Sequence, residues 1–247
     1  DGAREVVNAQ DKFRQDNQAA FLLHGYPFRE TSMVIELFTQ NFGRLAVVAR
    51  GARRPSSSLR GVLQAFQPLL VSWSGKSELR TLHRAERQER MSLLQGRSLL
   101  CGFYLNELIM KLLPRDDPHE QLYAHYQHAL LALSAQNDSA TSLRRFEIRL
   151  LKELGYALTL ERDPQSGKPV RPEVVYSYVI EHGPVASNTG PGTVRILGKT
   201  LLNLADDDFS DPQTQQESKA LMRFILSHYL GNQVLHTRQL LKDLQQF

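Results

Sequence analysis

The sequence predicts an α+β protein, with a five-stranded β-barrel of the OB type first and a mainly α-helical domain after it. Short runs with strand chemistry, separated by glycine, proline and serine, fill residues 19–85. From about residue 91 the apolar residues recur with helical spacing. Charge divides the chain at the same place, because residues 44–90 are strongly basic and the later residues are not.

Length and composition allow one or two domains, since 247 residues with 41% hydrophobic content can bury a substantial core. The single cysteine, Cys101, excludes an intrachain disulfide framework, and no apolar run approaches the length of a membrane span. Residues 1–18 are polar and lack the features of a secretory signal. We therefore expect a disordered tail at 1–18 and a cytoplasmic protein without a membrane partner.

Residues 19–87 form the predicted barrel. Its five strand-like runs are AAFLLHG, TSMVIELFT, GRLAVVARG, FQPLLVSWS and SELRTLHRA. Alternation in the second and third runs places six apolar side chains inside: Met33, Ile35, Leu37, Leu45, Val47 and Ala49. The same alternation places Arg44 and Arg50 outside. Short antiparallel strands of this kind suit a partly open OB-type barrel, which commonly binds single strands on one face and in the adjacent loops.

The basic stretch is concentrated in the barrel. Residues 44–90 contain ten arginine or lysine residues and three glutamates, a balance of +7 in a chain whose net charge is +4. A surface that only maintained solubility would mix both signs, as residues 91–247 do with 16 basic and 17 acidic residues. The concentration of charge predicts a surface that binds nucleic-acid phosphates. The candidate DNA contacts are Arg44, Arg50, Arg53, Arg54, Arg60, Lys76, Arg80 and Arg84.

Residues 51–61, GARRPSSSLRG, combine turn formers with three arginines and predict a flexible basic loop. Arginine contacts to phosphate carry no sequence information, so such a loop would bind the backbone without base preference. Single-strand binders usually add aromatic side chains on which bases stack. The candidates are Phe42, Phe66 and Trp73. Trp73 is better explained as core, and Phe42, beside a turn glycine, is the better stacking candidate.

Residues 88–247 form the predicted helical domain. Helices are expected at about 98–113, 118–134, 141–154, 211–229 and 236–246. The first, SLLCGFYLNELIMKLLP, is apolar around nearly its whole circumference, which predicts a helix buried within a bundle. Glycine and proline interrupt residues 161–205, so we expect an irregular insertion there, with one strand-like piece at VVYSYVI.

The third predicted helix has a basic stripe. Arg145, Arg149 and Lys152 follow i, i+4 and i+7 spacing and share one face. With neighbouring apolar side chains, this stripe would suit an acidic peptide that has a hydrophobic end. A solvated face with local ion pairs to Glu147 and Glu153 is the competing interpretation, and the residues alone favour it.

Motifs for catalysis or metal binding are weak. Residues 198–200, GKT, resemble the end of a phosphate-binding loop, but the preceding glycine, Gly192, lies one residue too far away. His125 and His128 lack the carboxylate or cysteine partners of a convincing metal site. The aspartates within 206–211 are explained by an acidic helix start. We therefore expect no enzyme activity, no cofactor and no metal.

Four blocks occur in order along the chain: HGYPFRETSMVIELFTQNFGRLAVVARGARRPSSSLRGVLQAFQPLLVSW, GFYLNELIMKLL, DPHEQLYAHYQHALLAL and LRRFEIRLLKELGY. Over about residues 19–160, and more weakly to the end, the chain resembles the RecO family of bacterial DNA repair proteins. The resemblance implies an OB domain, a helical domain, binding of single- and double-stranded DNA, and strand annealing. It also implies action with RecR, and in some bacteria RecF, to load RecA onto DNA coated by single-stranded DNA-binding protein (SSB), without catalysis or ATP.

The resemblance also bears on the basic stripe. Residues 143–147, LRRFE, match the region that in similar proteins receives the acidic, phenylalanine-ending tail of SSB. The resemblance therefore favours Arg144 and Arg145 as partners of the tail's carboxylates. The candidate tail-binding residues are Leu143, Arg144, Arg145, Ile148, Arg149, Leu151 and Lys152. Many relatives have a four-cysteine zinc site after this helix, whereas residues 161–205 contain no cysteine, so zinc is not expected.

The function implied by charge and resemblance together is a mediator of recombinational repair at the nucleoid. It would be recruited through the SSB tail, and its basic barrel would screen two DNA strands so that they pair. One competing function is a protein adaptor that binds SSB or RecR without touching DNA. The other is a nuclease that would shorten DNA when Mg²⁺ is supplied.

Overall fold

The structure, a computed structural model, describes residues 13–89, 91–135, 138–186 and 190–243. The chain divides into two compact units, Asp1–Ala135, here called the barrel unit, and Gln136–Phe247, the second unit. Barrel strands in the first unit are followed by helices, so the predicted α+β class is confirmed. Among the helices in these ranges, none is long and apolar enough to span a membrane.

Five strands close the barrel in the order β1-β2-β3-β5-β4, and β4 pairs back onto β1. They are β1 (Gln15–Phe28), β2 (Ser32–Thr39), β3 (Gly43–Ala49), β4 (Leu69–Ser74) and β5 (Leu79–Arg87), with a short helix, α1 (Leu59–Val62), between β3 and β4. All pairs are antiparallel except β3 with β5. The predicted OB-like barrel is therefore confirmed, and it is closed rather than partly open.

The start of β1 corrects one boundary. Gln15 pairs with Trp73 and Gln18 with Val71, so residues 15–18 belong to the barrel although we predict a disordered tail over 1–18. The rest of that predicted tail, residues 1–12, lies outside the described residues.

Alternation correctly predicts the barrel interior. Ile35, Leu37, Leu45, Val47 and Ala49 are buried in one core, and Met33 packs against it. The aromatic side chains behave differently from expectation. Trp73 is buried as predicted, but Phe42 packs edge-on against its ring, with centroids 5.3 Å apart, and Phe66 is buried as well. The structure therefore places none of the three stacking candidates on an open surface.

Two helices, α2 (Gly96–Leu112) and α3 (Glu120–Ser134), pack on the outside of the barrel. Tyr123 of α3 contacts Phe21 of β1 and Phe38 of β2, with ring centroids 5.4 and 5.5 Å apart. Asn106 of α2 donates a 3.0 Å hydrogen bond to a carbonyl of β1 and accepts one from Tyr126. The apolar circumference of α2 is explained by its contacts with both the barrel and α3. Both helices belong to the barrel unit, which extends to Ala135.

The described residues of the second unit form four helices and a small sheet. The helices are α4 (Ser139–Glu153), α5 (Gly198–Ala205), α6 (Pro212–Leu230) and α7 (His236–Asp243). Antiparallel strands β6 (Val175–Val179), β7 (Gly183–Val185) and β8 (Thr193–Leu197) pair in the order β7-β6-β8. Among the described residues of 161–205, turns at 161–174 precede the three-stranded sheet and α5, so only the first part of this segment is irregular. Sequence alone indicated one strand, because β7 has only three residues and glycine and proline precede β8.

Candidate nucleic-acid interface and basic helix face

One end of the barrel brings together arginines from two loops. The backbone N–H of Arg53, in the β3–α1 loop, donates to the Thr31 carbonyl at 2.8 Å. Its guanidinium Nη1 lies 3.3 Å from the carbonyl oxygens of both Arg29 and Glu30 in the β1–β2 turn. Arg53 therefore joins the two loops and stabilises the turn. We call Arg29, Arg50, Arg53 and Arg54 the basic rim.

All four side chains of the basic rim are exposed. Among the described residues, Arg50 and Arg54 have no side-chain hydrogen bond or ion pair, which leaves their guanidinium groups available to an anion. The guanidinium of Arg29 lies 5.2 Å from the centre of the Phe28 ring. Arg29 was missed from the sequence because it precedes the basic stretch 44–90.

The β3–α1 loop is a series of hydrogen-bonded turns. The N–H of Arg54 donates to the Gly51 carbonyl at 3.0 Å, and that of Ser57 donates to the Arg54 carbonyl at 3.0 Å. Ala52 is buried in the barrel core. These turns place the backbone of Arg53 and Arg54 beside the β1–β2 turn.

Three further candidate cations are exposed elsewhere on the barrel. Arg60 is exposed on α1. Lys76, in the β4–β5 turn, places its ammonium 3.7 Å from the centre of the Phe13 ring. Arg84 on β5 pairs with Glu86 at 2.6 Å, and both side chains are largely solvated, so the pair contributes little stability. These residues stay predictions for DNA contact.

Arg44 and Arg80 are committed to internal ion pairs instead. Arg44 is 14% exposed, donates from Nη1 to Glu36 at 3.2 Å, and donates from Nε to the Leu113 carbonyl at 3.0 Å. Arg80 is 15% exposed and pairs with Asp116 at 2.7 Å. Leu113 and Asp116 belong to the connection between α2 and α3, so both arginines attach this connection to the barrel. The expectation that Arg44 projects outward with Arg50 is thereby corrected.

The basic helix face lies on α4, and three of its predicted members are largely or fully buried. Arg144 is 12% exposed and pairs at 2.5 Å with Glu147, which is buried. Leu143 and Leu151 are buried among the core side chains of the second unit. A docked peptide could not reach these leucines, and using Arg144 to bind a peptide would break its ion pair with the buried Glu147.

The accessible part of α4 is its outer face, which we define as Arg145, Ile148, Arg149 and Lys152. Arg145 is half exposed, pairs with Asp207 at 3.1 Å and lies 5.5 Å from the Phe209 ring. Lys152 is exposed, and Ile148 and Arg149 are partly so. Within the described residues neither Arg149 nor Lys152 has a side-chain hydrogen bond or ion pair.

The GKT motif has a structural explanation. A Cβ on Gly198 would lie 1.9 Å from the Arg171 carbonyl oxygen, so only glycine fits where α5 begins. Lys199 pairs with Asp211 at 3.0 Å, and the Thr200 hydroxyl donates to Glu217 at 2.6 Å. All three positions therefore serve packing and ion pairing within the second unit.

A buried carboxylate, Asp163, organises the segment between α4 and β6. Asp163 accepts hydrogen bonds from the backbone N–H groups of Gln165, Ser166 and Ala186, at 2.8, 3.2 and 3.4 Å. Burial acts to raise the pKa of Asp163, but these hydrogen bonds outweigh it and hold the pKa below its usual value. The described part of the chain contains no cluster of histidine, cysteine and carboxylate side chains suited to a metal ion.

The fold and its exposed charges define an OB-barrel protein with a basic surface. The family model "Recombination protein O N terminal" matches residues 14–89, and "Recombination protein O C terminal" matches residues 93–239. A DNA repair protein RecO from Nitrosospira multiformis is 59% identical over 238 residues, covering 96% of this chain and 98% of the relative. The RecO proteins of Dechloromonas aromatica and Azoarcus sp. are 51% and 50% identical, covering 94% of this chain and 97% and 98% of the relatives. The chain belongs to the RecO family of DNA repair proteins, and the resemblance is confirmed.

Proposed function

We propose that this protein is a DNA-binding recombination mediator. It would anneal complementary strands and, with RecR and in some settings RecF, help to load RecA onto SSB-coated single-stranded DNA. The observation that supports this most directly is the basic rim, which presents four exposed arginines at one end of an OB-like barrel. Family membership places the protein in DNA repair. We further propose action at the nucleoid in the cytoplasm.

The proposed mechanism is electrostatic and needs neither catalysis nor a cofactor. Two DNA strands repel each other through their phosphates, and cationic side chains that neutralise phosphates release bound counterions and lower this repulsion. Guanidinium groups contact phosphate without reading bases. The rim would therefore bind single- and double-stranded DNA without sequence preference and favour the pairing of any two complementary strands.

Annealing of two labelled complementary oligonucleotides tests the proposal directly. We expect this protein to accelerate annealing without ATP or metal, and the acceleration to fade as salt is raised. The assay is repeated with SSB-coated strands. Absence of acceleration together with absence of DNA binding would contradict the proposal and favour the protein adaptor.

We also propose that the outer face of α4 binds the acidic tail of SSB. Arg145, Arg149 and Lys152 extend over two helical turns, about 10 Å at 1.5 Å per residue. Successive acidic side chains of an extended peptide can pair with cations spaced in this way, and Ile148 supplies an apolar contact on the same face. Arg144 is left out of this set because it pairs with the buried Glu147.

Replacing Arg149 and Lys152 together with glutamine should weaken binding of an SSB tail peptide about tenfold. Each exposed charge contact is worth roughly 0.5–1 kcal/mol, and about 1.4 kcal/mol corresponds to tenfold. Titration calorimetry measures the affinity. The matched control replaces Lys168 and Arg195, two exposed cations outside α4, and should leave it unchanged. Equal affinities for the Arg149/Lys152 variant and wild type would remove this face from the proposal.

A further inference from the structure

Strand β1 has three aromatic side chains on the outside of the barrel: His24, Tyr26 and Phe28. The register between β1 and β2 shifts between Leu22 and His24, so Leu23 is an extra residue that forms a β-bulge. The bulge reverses the alternation of the strand. Leu22 points into the core. In a regular strand, residues 24, 26 and 28 would point the same way as Leu22, but after the bulge they point outward. We call His24, Tyr26 and Phe28 the aromatic stripe.

The middle residue of the aromatic stripe is exposed to solvent, and an arginine lies beside its last residue. Tyr26 is 43% exposed, His24 is exposed and Phe28 is partly buried. The rings of His24 and Tyr26 are in contact, with centroids 4.4 Å apart and an angle of 65°. Phe28 lies beneath the guanidinium of Arg29, the first member of the basic rim. The stripe therefore leads along β1 directly to the rim.

The surroundings of the stripe form a shallow apolar surface. The pairing of β1 with β4 covers Gln15–Ala20, whereas residues 24–28 pair with β2. Tyr26 is opposite Val34 in β2, which is opposite Val48 in β3, and both valines are partly buried on the same outer side. Helix α3 contacts the barrel at Phe21 and Phe38, and α2 contacts β1 through the hydrogen bond from Asn106 to the Leu23 carbonyl. Tyr26 thus remains accessible on an apolar floor.

We propose that the aromatic stripe stacks the bases of a single-stranded nucleic acid whose phosphates lie on the basic rim. This inference rests on the proposed DNA-binding function and adds the base-contacting side chains to it. Side chains at alternate positions of a strand are about 6.8 Å apart, a spacing that an extended single strand can match. The charge selects the ligand, because four arginines at the end of the stripe outnumber the one carboxylate of the β1–β2 turn, Glu30.

Stacking on the stripe provides a strand preference that the basic rim alone does not. The bases of a duplex already stack on each other, so only unpaired bases gain from contact with Tyr26. The arginines, by contrast, contact the phosphates of either form. The stripe and the rim can therefore be separated experimentally, since one affects the single-strand preference and the other the salt dependence.

The test compares Tyr26→Leu with wild type in binding to a short oligothymidine and to a duplex. We expect about a tenfold loss of single-strand affinity, with duplex affinity, thermal stability and the salt dependence unchanged. The control is Tyr156→Leu, a tyrosine of equal exposure in the second unit, and it should retain wild-type binding. In a second variant, Tyr26→Trp, fluorescence should be quenched when oligothymidine binds, over a constant signal from the buried Trp73.

The outcomes distinguish failure of this inference from failure of the proposed function. If wild type binds neither oligothymidine nor duplex, the proposed function itself fails. If wild type binds with the expected salt dependence, but Tyr26→Leu matches it and Tyr26→Trp is not quenched, the stripe is excluded and the function stands. Equal loss of single-strand and duplex binding in Tyr26→Leu would also overturn the inference, because it would indicate a structural defect.

Discussion

Replacing Arg29, Arg50 and Arg54 with glutamine is expected to weaken binding of single-stranded DNA roughly 100-fold near 0.1 M salt. Each exposed guanidinium–phosphate contact contributes about 1 kcal/mol, and about 1.4 kcal/mol changes affinity tenfold. The salt dependence gives a sharper signature. Each lost contact reduces the slope of log affinity against log salt by about 0.7 for single strands, so the three contacts together reduce it by about 2. Fluorescence anisotropy over a salt series measures both quantities.

The choice of these residues separates binding from folding. Arg53 is left in place because it hydrogen-bonds the β1–β2 turn, and its loss would disturb the neighbouring arginines. The matched control replaces three exposed cations of the second unit, Lys168, Arg195 and Arg223, with glutamine. Both variants lose the same net charge, so a difference between them cannot come from net charge alone. A rim variant whose slope equals that of the control would show that the rim does not contact phosphate.

The inner face of the barrel can be predicted from the sequence because alternation of apolar residues is a pattern within each strand. Alternating apolar residues in two strands identify the inner face, and the structure buries those same residues. The bulge at Leu23 has no such signal. Continued alternation from Leu22 would direct Tyr26 into the core, and the bulge instead directs it outward. The stacking candidate favoured from sequence, Phe42, packs against Trp73.

Charge composition located the basic surface but not the role of each cation. Arg44 and Arg50 both belong to the basic stretch. Arg44 on β3, however, pairs with Glu36 on the adjacent strand β2, eight residues earlier in the chain. Arg115, which also donates to Glu36, follows α2 and is 79 residues from Glu36 in the chain. Such pairings depend on tertiary structure, and a count of charges along the chain cannot reveal them.

Helical spacing correctly predicts which side of α4 is buried and which is exposed. Phe146 and Leu150 are buried and Arg145 and Lys152 are exposed, as the spacing predicts. The structure adds a buried Glu147, which binds Arg144 beside the core. An acidic residue inside the second unit could not be predicted from periodicity, because its burial depends on the partner that neutralises it.

Replacing Glu36 with alanine is expected to lower the free energy of unfolding of the barrel unit by about 3 kcal/mol, the lower end of the range for breaking a buried ion pair. Glu36 is 3% exposed and accepts hydrogen bonds from Arg44 and from Arg115. Removing the carboxylate takes away the ion pair of the largely buried Arg44, which keeps its hydrogen bond to the Leu113 carbonyl. Arg115 is 38% exposed and adds little, because water can solvate it. Urea unfolding followed by Trp73, the one tryptophan of the chain and part of the barrel core, measures the effect.

Glu86→Ala is the matched control, because Glu86 pairs with Arg84 on the surface of the same barrel and its loss should cost less than about 1 kcal/mol. A double variant, Glu36→Ala with Arg44→Met, should be more stable than the sum of the two single changes predicts, because the second change removes the charge that the first leaves without its partner. Arg44→Met alone should lower stability while the salt slope for DNA binding stays at the wild-type value. If Glu36→Ala were no less stable than Glu86→Ala, and Arg44→Met reduced the salt slope, Arg44 would be a DNA contact rather than the residue that attaches the α2–α3 connection to the barrel.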